Sequence, residues 1–460
     1  MKVLIINPQY IPGYIHTARW DGLTISGGHW YPIFLAYCTG LLEKYDHECK
    51  LIDAEADGLS DEDLINIAKN FEPDFTVIYI SERGIESNIQ LAQKIKKKTK
   101  SKIIFVGPWC TIVKNSIIKN KIIDHIIDGE FEFAVKDIVE GKIKKYYIKT
   151  KRLTSEQLNE LPWVTQVYKK HLNIKNYMVS SLWHPFVDLF TGRKCYWGRC
   201  TFCLWPFTIF KEDGYVVRNI EDVLDEIEWI SKNLKVKEIF IQDDTLPGWR
   251  AKQIAEGILK RKIKITWSAY ARGDLSMNPE ILELMKKSGC HCLHVGYESS
   301  SNEILKKCNK GVTKEQLEKF TKWATNAGID IHGDFMIGLP GEVEATIRKT
   351  IKWAKKLKIL TYQFAPPKVY PCTPLYEYLN KNNSLDLCGG PNYPNLNSLK
   401  IAKWCKIALR DCYFNPEFLK RVLFKPKELK RLLRSAVYAG PYILLKKTEG
   451  EKEYPKCYKG

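Results

Sequence analysis

The feature that most limits how this chain can fold is an alternation that runs along it twice. Near the N-terminus lie the apolar runs VLIIN (Val3–Asn7), CKLIDA (Cys49–Ala54), FTVIYI (Phe75–Ile80), KIIFVG (Lys102–Gly107) and HIIDG (His125–Gly129). Helical patterns such as Asp61–Phe71 and Ile85–Lys97 separate them. Strands that are apolar on both faces and separated by helices belong to parallel sheets covered on both sides. Residues 1–150 are therefore expected to form a doubly wound, Rossmann-like domain with its ligand crevice at the carboxyl ends of the strands.

After a mixed linker over 151–185, the alternation restarts at FVDLF (Phe186–Phe190). It continues through EIFIQ (Glu238–Gln242), ITWSAY (Ile265–Tyr270), CLHVGYE (Cys292–Glu298), IDIHGDFMIG (Ile329–Gly338) and TYQFAP (Thr361–Pro366). The helical stretches Ile220–Lys232, Pro279–Lys287, Lys314–Ala327 and Glu342–Lys356 lie between them. Six such units are too few to close an eight-stranded barrel. Residues 186–383 are expected to form an open, partial (βα)6 barrel of TIM type. From Ser384 the character changes, with a break at GGPNYPNLNS followed by basic helical segments. Residues 384–460 thus read as a helical, basic extension of an otherwise α/β chain.

Composition narrows the class of partner. The 460 residues carry a net charge of +19, which favours anionic partners. The basic residues do not recur with aromatic stacking platforms, which argues against nucleic acid. No apolar run reaches the ~18 residues of a membrane span. The opening MKVLIINPQY lacks a signal peptide's apolar core and cleavage site and reads as a buried first strand. A reducing, cytoplasmic setting is expected, in which the 14 cysteines serve metal or catalysis where clustered and fill cores where isolated.

The densest chemistry lies in TGRKCYWGRCTFCLWP (Thr191–Pro206), directly after the first strand of the second unit. Cys195, Cys200 and Cys203 are its thiols. Thiolates bind zinc or iron–sulfur clusters. A closed zinc site would need a distant fourth ligand, for example Cys290, Cys292 or His294. A [4Fe-4S] cluster normally takes four cysteines, so one held by three leaves an iron open.

With this cluster the sequence resembles the radical SAM superfamily, whose signature is three closely spaced cysteines after the first strand of a partial (βα)6 barrel. The usual spacing is Cys-x3-Cys-x2-Cys. Here the first gap is one residue longer, while CTFC keeps the usual form with Phe202 before the last cysteine. Matches continue strand by strand. IQDDT ends the second strand, where the resemblance places the amino group of S-adenosylmethionine (SAM) near Asp243 or Asp244. SAYAR ends the third, and Arg272 could pair with the SAM carboxylate. VGYESSS ends the fourth, and Glu298 matches the acidic residue that contacts the ribose. FMIGLPGE follows the fifth, where Gly338 and Gly341 would let backbone approach the adenine.

The resemblance implies a mechanism. A [4Fe-4S] cluster binds SAM, and an electron from a flavodoxin- or ferredoxin-type donor cleaves the sulfonium. The resulting 5′-deoxyadenosyl radical abstracts hydrogen from an unactivated carbon, with the protein positioning the cofactors and excluding water.

A doubly wound domain ahead of such a barrel resembles the cobalamin-binding-domain group. NPQY, WYPIFLA (Trp30–Ala36), LIDAEADGLS, FVGPWC and DGEFE carry this likeness. The Asp-x-His-x-x-Gly signature of His-ligated cobalamin is absent, since His125 lies in DHIIDG. Where relatives often have Gly-Gly-x-His, this chain has Gly107-Pro108-Trp109-Cys110, which narrows the room for a corrin. Cobalamin binding and a domain that only shapes the active-site mouth are both compatible with these residues.

Longer stretches, including CTFCLWP, WSAYAR, HVGYESSSNEILKKCNKG and RDCYFNPEFLKR, resemble the hopanoid ring-contraction radical SAM enzymes. That likeness implies radical carbon–carbon bond formation that turns a lipid-linked sugar or polyol headgroup into a carbocycle, by analogy with calditol synthase. The alternatives are a cobalamin-dependent radical SAM C-methyltransferase and, more remotely, an iron–sulfur or zinc module that binds nucleic acid. A lipid substrate agrees with the tail. There Lys420, Arg421, Lys427, Lys430, Arg431 and Arg434 cluster with Leu419, Leu423, Leu429 and Leu433. Such a segment could lie peripherally on the cytoplasmic face of an anionic membrane; a solvated helix packed on the barrel reads the same way. YAGPYILL is too short to span a bilayer. No catalytic residue is assigned. His332, on the fifth strand, could be an acid/base group or a substrate contact. Cys372, in YPCTPLY, could quench a radical or ligate. Core packing is the ordinary reading for both, as it is for His184 and His294.

Overall fold

The computed structural model describes residues 1–10, 14–15, 22–23, 28–80, 84–112, 121–211, 214–387, 389–425, 429–430 and 432–433. The first half runs β1 (Lys2–Asn7), β2 (Tyr14–Ile15), β3 (Gly22–Leu23), α1 (Ile33–Lys44), β4 (Glu48–Asp53), α2 (Ala54–Asp57), α3 (Asp61–Phe71), β5 (Phe75–Tyr79), α4 (Ile85–Lys98), β6 (Lys102–Val106), α5 (Trp109–Ile112), β7 (His125–Asp128), α6 (Glu132–Val139) and β8 (Tyr147–Lys149). Helices α7 (Ser155–Glu160) and α8 (Val164–His171) follow. The second half runs β9 (Phe186–Leu189), β10 (Gly192–Arg193), β11 (Val216–Val217), α9 (Ile220–Asn233), β12 (Glu238–Ile241), α10 (Gly248–Lys260), β13 (Trp267–Ala271), α11 (Pro279–Lys287), β14 (Cys290–Glu298), α12 (Asn302–Lys307), α13 (Lys314–Asn326), β15 (Asp330–Met336), α14 (Glu344–Lys356), β16 (Thr361–Ala365), α15 (Pro374–Lys381), α16 (Ser398–Tyr413) and α17 (Pro416–Leu423).

The first sheet has the order β4-β1-β5-β6-β7-β8 with every pair parallel. Its central strands are buried on both faces, as their unbroken apolar runs require. The connections reverse direction between β1 and β5, so the carboxyl ends of these strands open a switch-point crevice. There Asn7 and Asp53 meet on neighbouring strands. Asn7 Nδ2 donates to Asp53 Oδ1 at 2.7 Å, and the Tyr177 hydroxyl donates to Oδ2 at 2.9 Å. Burial raises the Asp53 carboxyl to about 6.

The second sheet is a parallel, open half-barrel of order β16-β15-β14-β13-β12-β9. Strand ends depart from the sequence expectation by a few residues. β14 starts at Cys290, and α14 starts at Glu344 because Glu342 is drawn back into the preceding turn by the Gly338 N–H. Register sets Tyr270, His294, His332 and Thr361 side by side on the concave face. The rings of Tyr270, His294 and His332 join those of Phe240 and Trp30 in a packed layer, with centroids 5.1 Å apart for Trp30–Phe240, 4.9 Å for Phe240–His294 and 4.6 Å for His294–His332. This layer is the floor of the lumen.

The two sheets share one helix. In α1 every residue from Ile33 to Leu42 is buried. One side covers β1 and β4; the other meets the barrel, where Phe34 packs on Phe190, Trp205 and Phe210. The stretch expected as a linker contributes α7 and α8, and α8 packs on α1. Tyr168 and Tyr177 stack on either side of Tyr31, at 4.2 and 3.8 Å.

Candidate active site

The cysteine loop leaves the carboxyl end of β9 and is held from two sides. Tyr196 donates to Asp274, just beyond β13. Trp197 Nε1 donates to the Asn309 carbonyl at 2.8 Å, and Thr201 N donates to the Cys308 carbonyl at 3.0 Å. The Trp197 ring lies between the guanidinium groups of Arg199 and Arg272, at 5.4 and 4.8 Å, a favourable cation–π arrangement. It also lies against Gly311, which has φ +71° and where a Cβ would come within 2.1 Å of the ring. The residues of the longer first gap thus anchor the loop to the segments after β13 and α12.

Cys195, Cys200 and Cys203 are half-buried and none is in a disulfide. Among the described residues, no three His, Cys, Asp or Glu side chains are gathered tightly enough for a single ion. Three thiols in one short loop do suit a multi-iron cluster, which spreads its ligands further apart than one ion does. Burial pushes the Cys200 thiol up, while Lys310 and Arg272 pull it back toward the thiolate. The distant zinc ligands considered above lie elsewhere: Cys290 and Cys292 are in the lower half of β14, and His294 is in the floor layer. Phe202 packs against Ile304, Cys308 and Leu339 on one side and Val369 and Leu375 on the other.

At the mouth of the lumen, a break in the β14–β15 register falls between Gly296 and Glu298, and Glu298 has φ +57°. Such a conformation is strained for a non-glycine residue. The Glu298 side chain is buried. Its Oε1 accepts from Lys310 Nζ at 2.7 Å, and its Oε2 has no hydrogen-bond partner among the described residues. An unpartnered buried carboxylate oxygen costs free energy unless a ligand supplies a donor, so this site suits a hydroxyl-bearing ligand such as a ribose. The pair lies over Gly296, where a Cβ would meet Glu298 Oε1 at 2.5 Å and Lys310 Nζ at 2.7 Å. Arg272 donates to the Lys310 carbonyl. Burial raises the Glu298 carboxyl, opposed by Lys310.

The other expected SAM contacts differ in availability. Asp243 is buried and already accepts from Thr191 N at 2.6 Å, Gly192 N at 3.1 Å and the Tyr215 hydroxyl. It therefore joins the root of the cysteine loop to β12. Asp244 follows it, also buried. Gly338 and Gly341 both have positive φ in the turn after β15. There Glu342 Oε2 accepts from Gly338 N at 2.6 Å, and burial pushes its carboxyl up to about 7.

His332 is not isolated. Its Nδ1 is 2.7 Å from Thr361 Oγ1, and its Nε2 is 3.3 Å from Asp334 Oδ1. Asp334 shares the concave face and is partly open to the lumen. His184 Nδ1 contacts the Tyr177 carbonyl at 3.0 Å, outside the lumen. Cys372 lies where the two sheets meet, packed with Trp109, Leu204 and Tyr370, and burial raises its thiol to about 11.

That meeting place sets the first domain's crevice beside the barrel mouth. Lys211, after the cysteine loop, pairs with Asp128 at the end of β7. Trp109 is buried and its ring centroid is 6.2 Å from that of Tyr370. His125 Nδ1 binds the Lys145 carbonyl at 2.8 Å at the amino end of β7, so it faces away from the crevice and cannot serve as an axial ligand there. Arg193, beside the cysteine loop, reaches Glu130 and Glu132 at 2.7 Å each, all three buried. Lys310, Trp197, Asp334 and Arg193 were not singled out in the sequence. Each lay within a stretch already quoted from the sequence, but none had been given a role of its own.

Residues 189–354 match the model of the radical SAM superfamily. An uncharacterised methyltransferase of Pyrococcus horikoshii is 28% identical over 419 residues, covering 86% of this chain and 90% of that one. An anaerobic magnesium-protoporphyrin IX monomethyl ester cyclase of Cereibacter sphaeroides is 23% identical over 411 residues, covering 82% and 64%. Among solved structures, the cobalamin-dependent S-adenosylmethionine radical enzyme OxsB, with aqua-cobalamin and S-adenosylmethionine bound, superposes with a TM-score of 0.69 at 14% identity, covering 98% of this chain and 74% of that one. The radical S-adenosylmethionine methyltransferase TsrM of Kitasatospora setae, with cobalamin and a [4Fe-4S] cluster bound, gives 0.65 at 15% identity, covering 83% and 75%. Residues 189–354, which include Cys195, Cys200 and Cys203, are thus similar to the radical SAM superfamily, and the fold is that of the two cobalamin-bound structures.

Proposed function

We propose that the protein is a cobalamin-dependent radical SAM methyltransferase. The observation that carries this reading is the junction of the two sheets. The switch-point crevice of a doubly wound domain, where such domains hold ligands, opens beside the loop of Cys195, Cys200 and Cys203 through Asp128–Lys211 and Trp109–Tyr370. The relative named a methyltransferase and the two cobalamin-bound neighbours support it.

In this reading the three cysteines hold the cluster, Glu298 receives the SAM ribose, and Arg272 faces the SAM carboxylate. Asp244 is the strand-end carboxylate assigned to the amino group, because Asp243 is engaged by Thr191 and Gly192. When bound, the cluster and SAM supply a radical and cobalamin supplies the methyl group. His125, which faces away from the crevice, would take no part in holding a corrin there. The floor of Trp30, Phe240, Tyr270 and His294 keeps bulk water from the lumen below. His332, oriented by Thr361 and adjoining Asp334, is a titratable group of that floor and a candidate to hold or move a substrate proton.

Carbocycle formation on a lipid-linked sugar or polyol is the second reading. A relative named a cyclase supports it, and the tail supports a membrane-associated substrate through the exposed Leu419 and Leu423 beside Lys420 and Arg421. Against it, α17 lies at the amino ends of β15 and β16, opposite the cysteine loop. An electron donor is needed in either case.

The test is anaerobic reconstitution with iron, sulfide and hydroxocobalamin, followed by analysis of bound corrin and SAM products. Methyl transfer predicts stoichiometric corrin absorbance and S-adenosylhomocysteine beside 5′-deoxyadenosine. Absent corrin with 5′-deoxyadenosine alone would favour the second reading. A Cys203→Ala protein is expected to lose the cluster's absorbance and iron; retention of both would remove that ligand assignment.

A further inference from the structure

One described cavity is far from the cysteine loop. It is a groove of about 620 Å3 between α14, α16 and α17. Its cations are Arg348, Lys352, Lys355, Lys356, Lys358 and Arg421. The first four recur along one face of α14 at helical spacing. Among the described residues, Lys352, Lys355, Lys356 and Lys358 form no ion pair. The acidic side chains lining the groove are Asp411, which is turned to Arg410 at 3.0 Å, and Glu417. Trp404 lies under Arg348, 4.6 Å from its guanidinium.

Beside this groove runs an apolar ridge. Helix α17 buries Phe418 and Val422 against Tyr362 and Tyr413, leaving Leu419 and Leu423 on its outer face. Leu423 is 65% and Phe424 80% exposed. Exposed large apolar side chains beside cations that have no counter-charge among the described residues form the pattern of an interfacial seat.

We propose that the face formed by α14, α16 and α17 docks on an anionic lipid surface. The apolar ridge enters the headgroup boundary and the groove takes lipid phosphates. Charge complementarity selects this occupant, since the chain carries +19 overall and the groove concentrates unpaired cations. An exposed apolar ridge is a poor fit to a nucleic-acid backbone. An acidic electron donor fits no better. Lys358 precedes β16, and Lys425 pairs with Asp330 at the start of β15. A donor docked here would be separated from the cysteine loop by the full height of the barrel. Docked on lipid, the protein holds its active-site mouth away from the membrane.

The experiment is co-sedimentation of the full chain with vesicles of phosphatidylglycerol, or of phosphatidylcholine alone, at low and high salt. Binding is expected to phosphatidylglycerol only, and to weaken as salt screens it. Each basic residue near an anionic surface is worth about 1 kcal/mol, so Lys→Gln at 352, 355, 356 and 358 together should weaken partitioning roughly a hundredfold or more. A Leu423→Ser, Phe424→Ser protein, which leaves every charge in place, should also bind more weakly. No vesicle binding, equal binding to both lipids, or binding unchanged in the four-lysine variant would each overturn the proposal. So would selective retention of RNA or an acidic ferredoxin by this face in place of vesicles. Cluster content and SAM cleavage in detergent-free buffer are expected to match wild type in every variant. This separates failure of docking from failure of the radical SAM chemistry.

Discussion

Lys310 takes a positive charge into a buried position beside the Glu298 carboxylate and the Cys200 thiol. The ammonium is tolerated there because Glu298 accepts from it, and because Gly296 has no side chain to compete for the space. Gly296→Ala is expected to push the pair off the β14 backbone. SAM affinity, measured by equilibrium dialysis on reconstituted protein, should fall at least about tenfold, roughly 1.4 kcal/mol, with iron content unchanged. Glu342 offers a test of a different kind. Its carboxyl is held at about 7 by burial, against about 4.3 unfolded. The folded state therefore holds the extra proton between those values, and stability should decline as pH rises through that window and level off above 7. Glu342→Gln keeps an acceptor for Gly338 N, and chemical denaturation between pH 5 and 8 should show that decline, up to about 3 kcal/mol, removed. The cysteines were singled out in the sequence by their spacing, and Arg272 and Glu298 by resemblance at strand ends. Lys310 was not, since a lysine in a turn normally points to water and only the fold shows this one turned inward.

At the level of elements, the cysteine loop is held from outside itself. Its longer first gap gives Trp197 the reach to settle between Arg272 and Gly311, a role no spacing rule reveals. Gly311→Ala should cost about 1–2 kcal/mol from the left-handed backbone alone, plus the displacement of Trp197. The observable is lower cluster occupancy after reconstitution, with the barrel's circular dichroism retained. The main strands were readable because apolar runs buried on both faces admit few other structures. The tail was readable only in part. Residues 416–423 are helical with an exposed leucine row, as their spacing predicts, whereas Lys427, Arg431 and Arg434 lie outside the described residues. Asp243 also exceeded what the sequence could give. A strand-end aspartate looks available until the folded loop brings Thr191 and Gly192 onto it.

For the whole molecule, the question is what joins the two sheets. Arg193 is one answer. Buried against Glu130 and Glu132 and lying 5.2 Å from the ring centroids of Phe34, Tyr37 and Phe190, it pairs with two carboxylates that would otherwise be stranded. Arg193→Met should destabilise by about 3–5 kcal/mol. Burial already raises Glu130, so protonation relieves the loss, and the deficit in urea denaturation should be larger at pH 8 than at pH 5. Helix α1 is the other answer. A helix buried along ten successive residues has no face to offer water, and its Phe34 and Tyr37 cover Phe190 and Phe210 of the barrel. The halves are therefore not separable parts. A chain cut at the boundary suggested by its motifs would leave one piece with an unsheltered apolar wall and the other with an orphan greasy rod. Exchange of the first domain between relatives should succeed only when the donor brings its own version of this helix, together with the barrel residues that grip it.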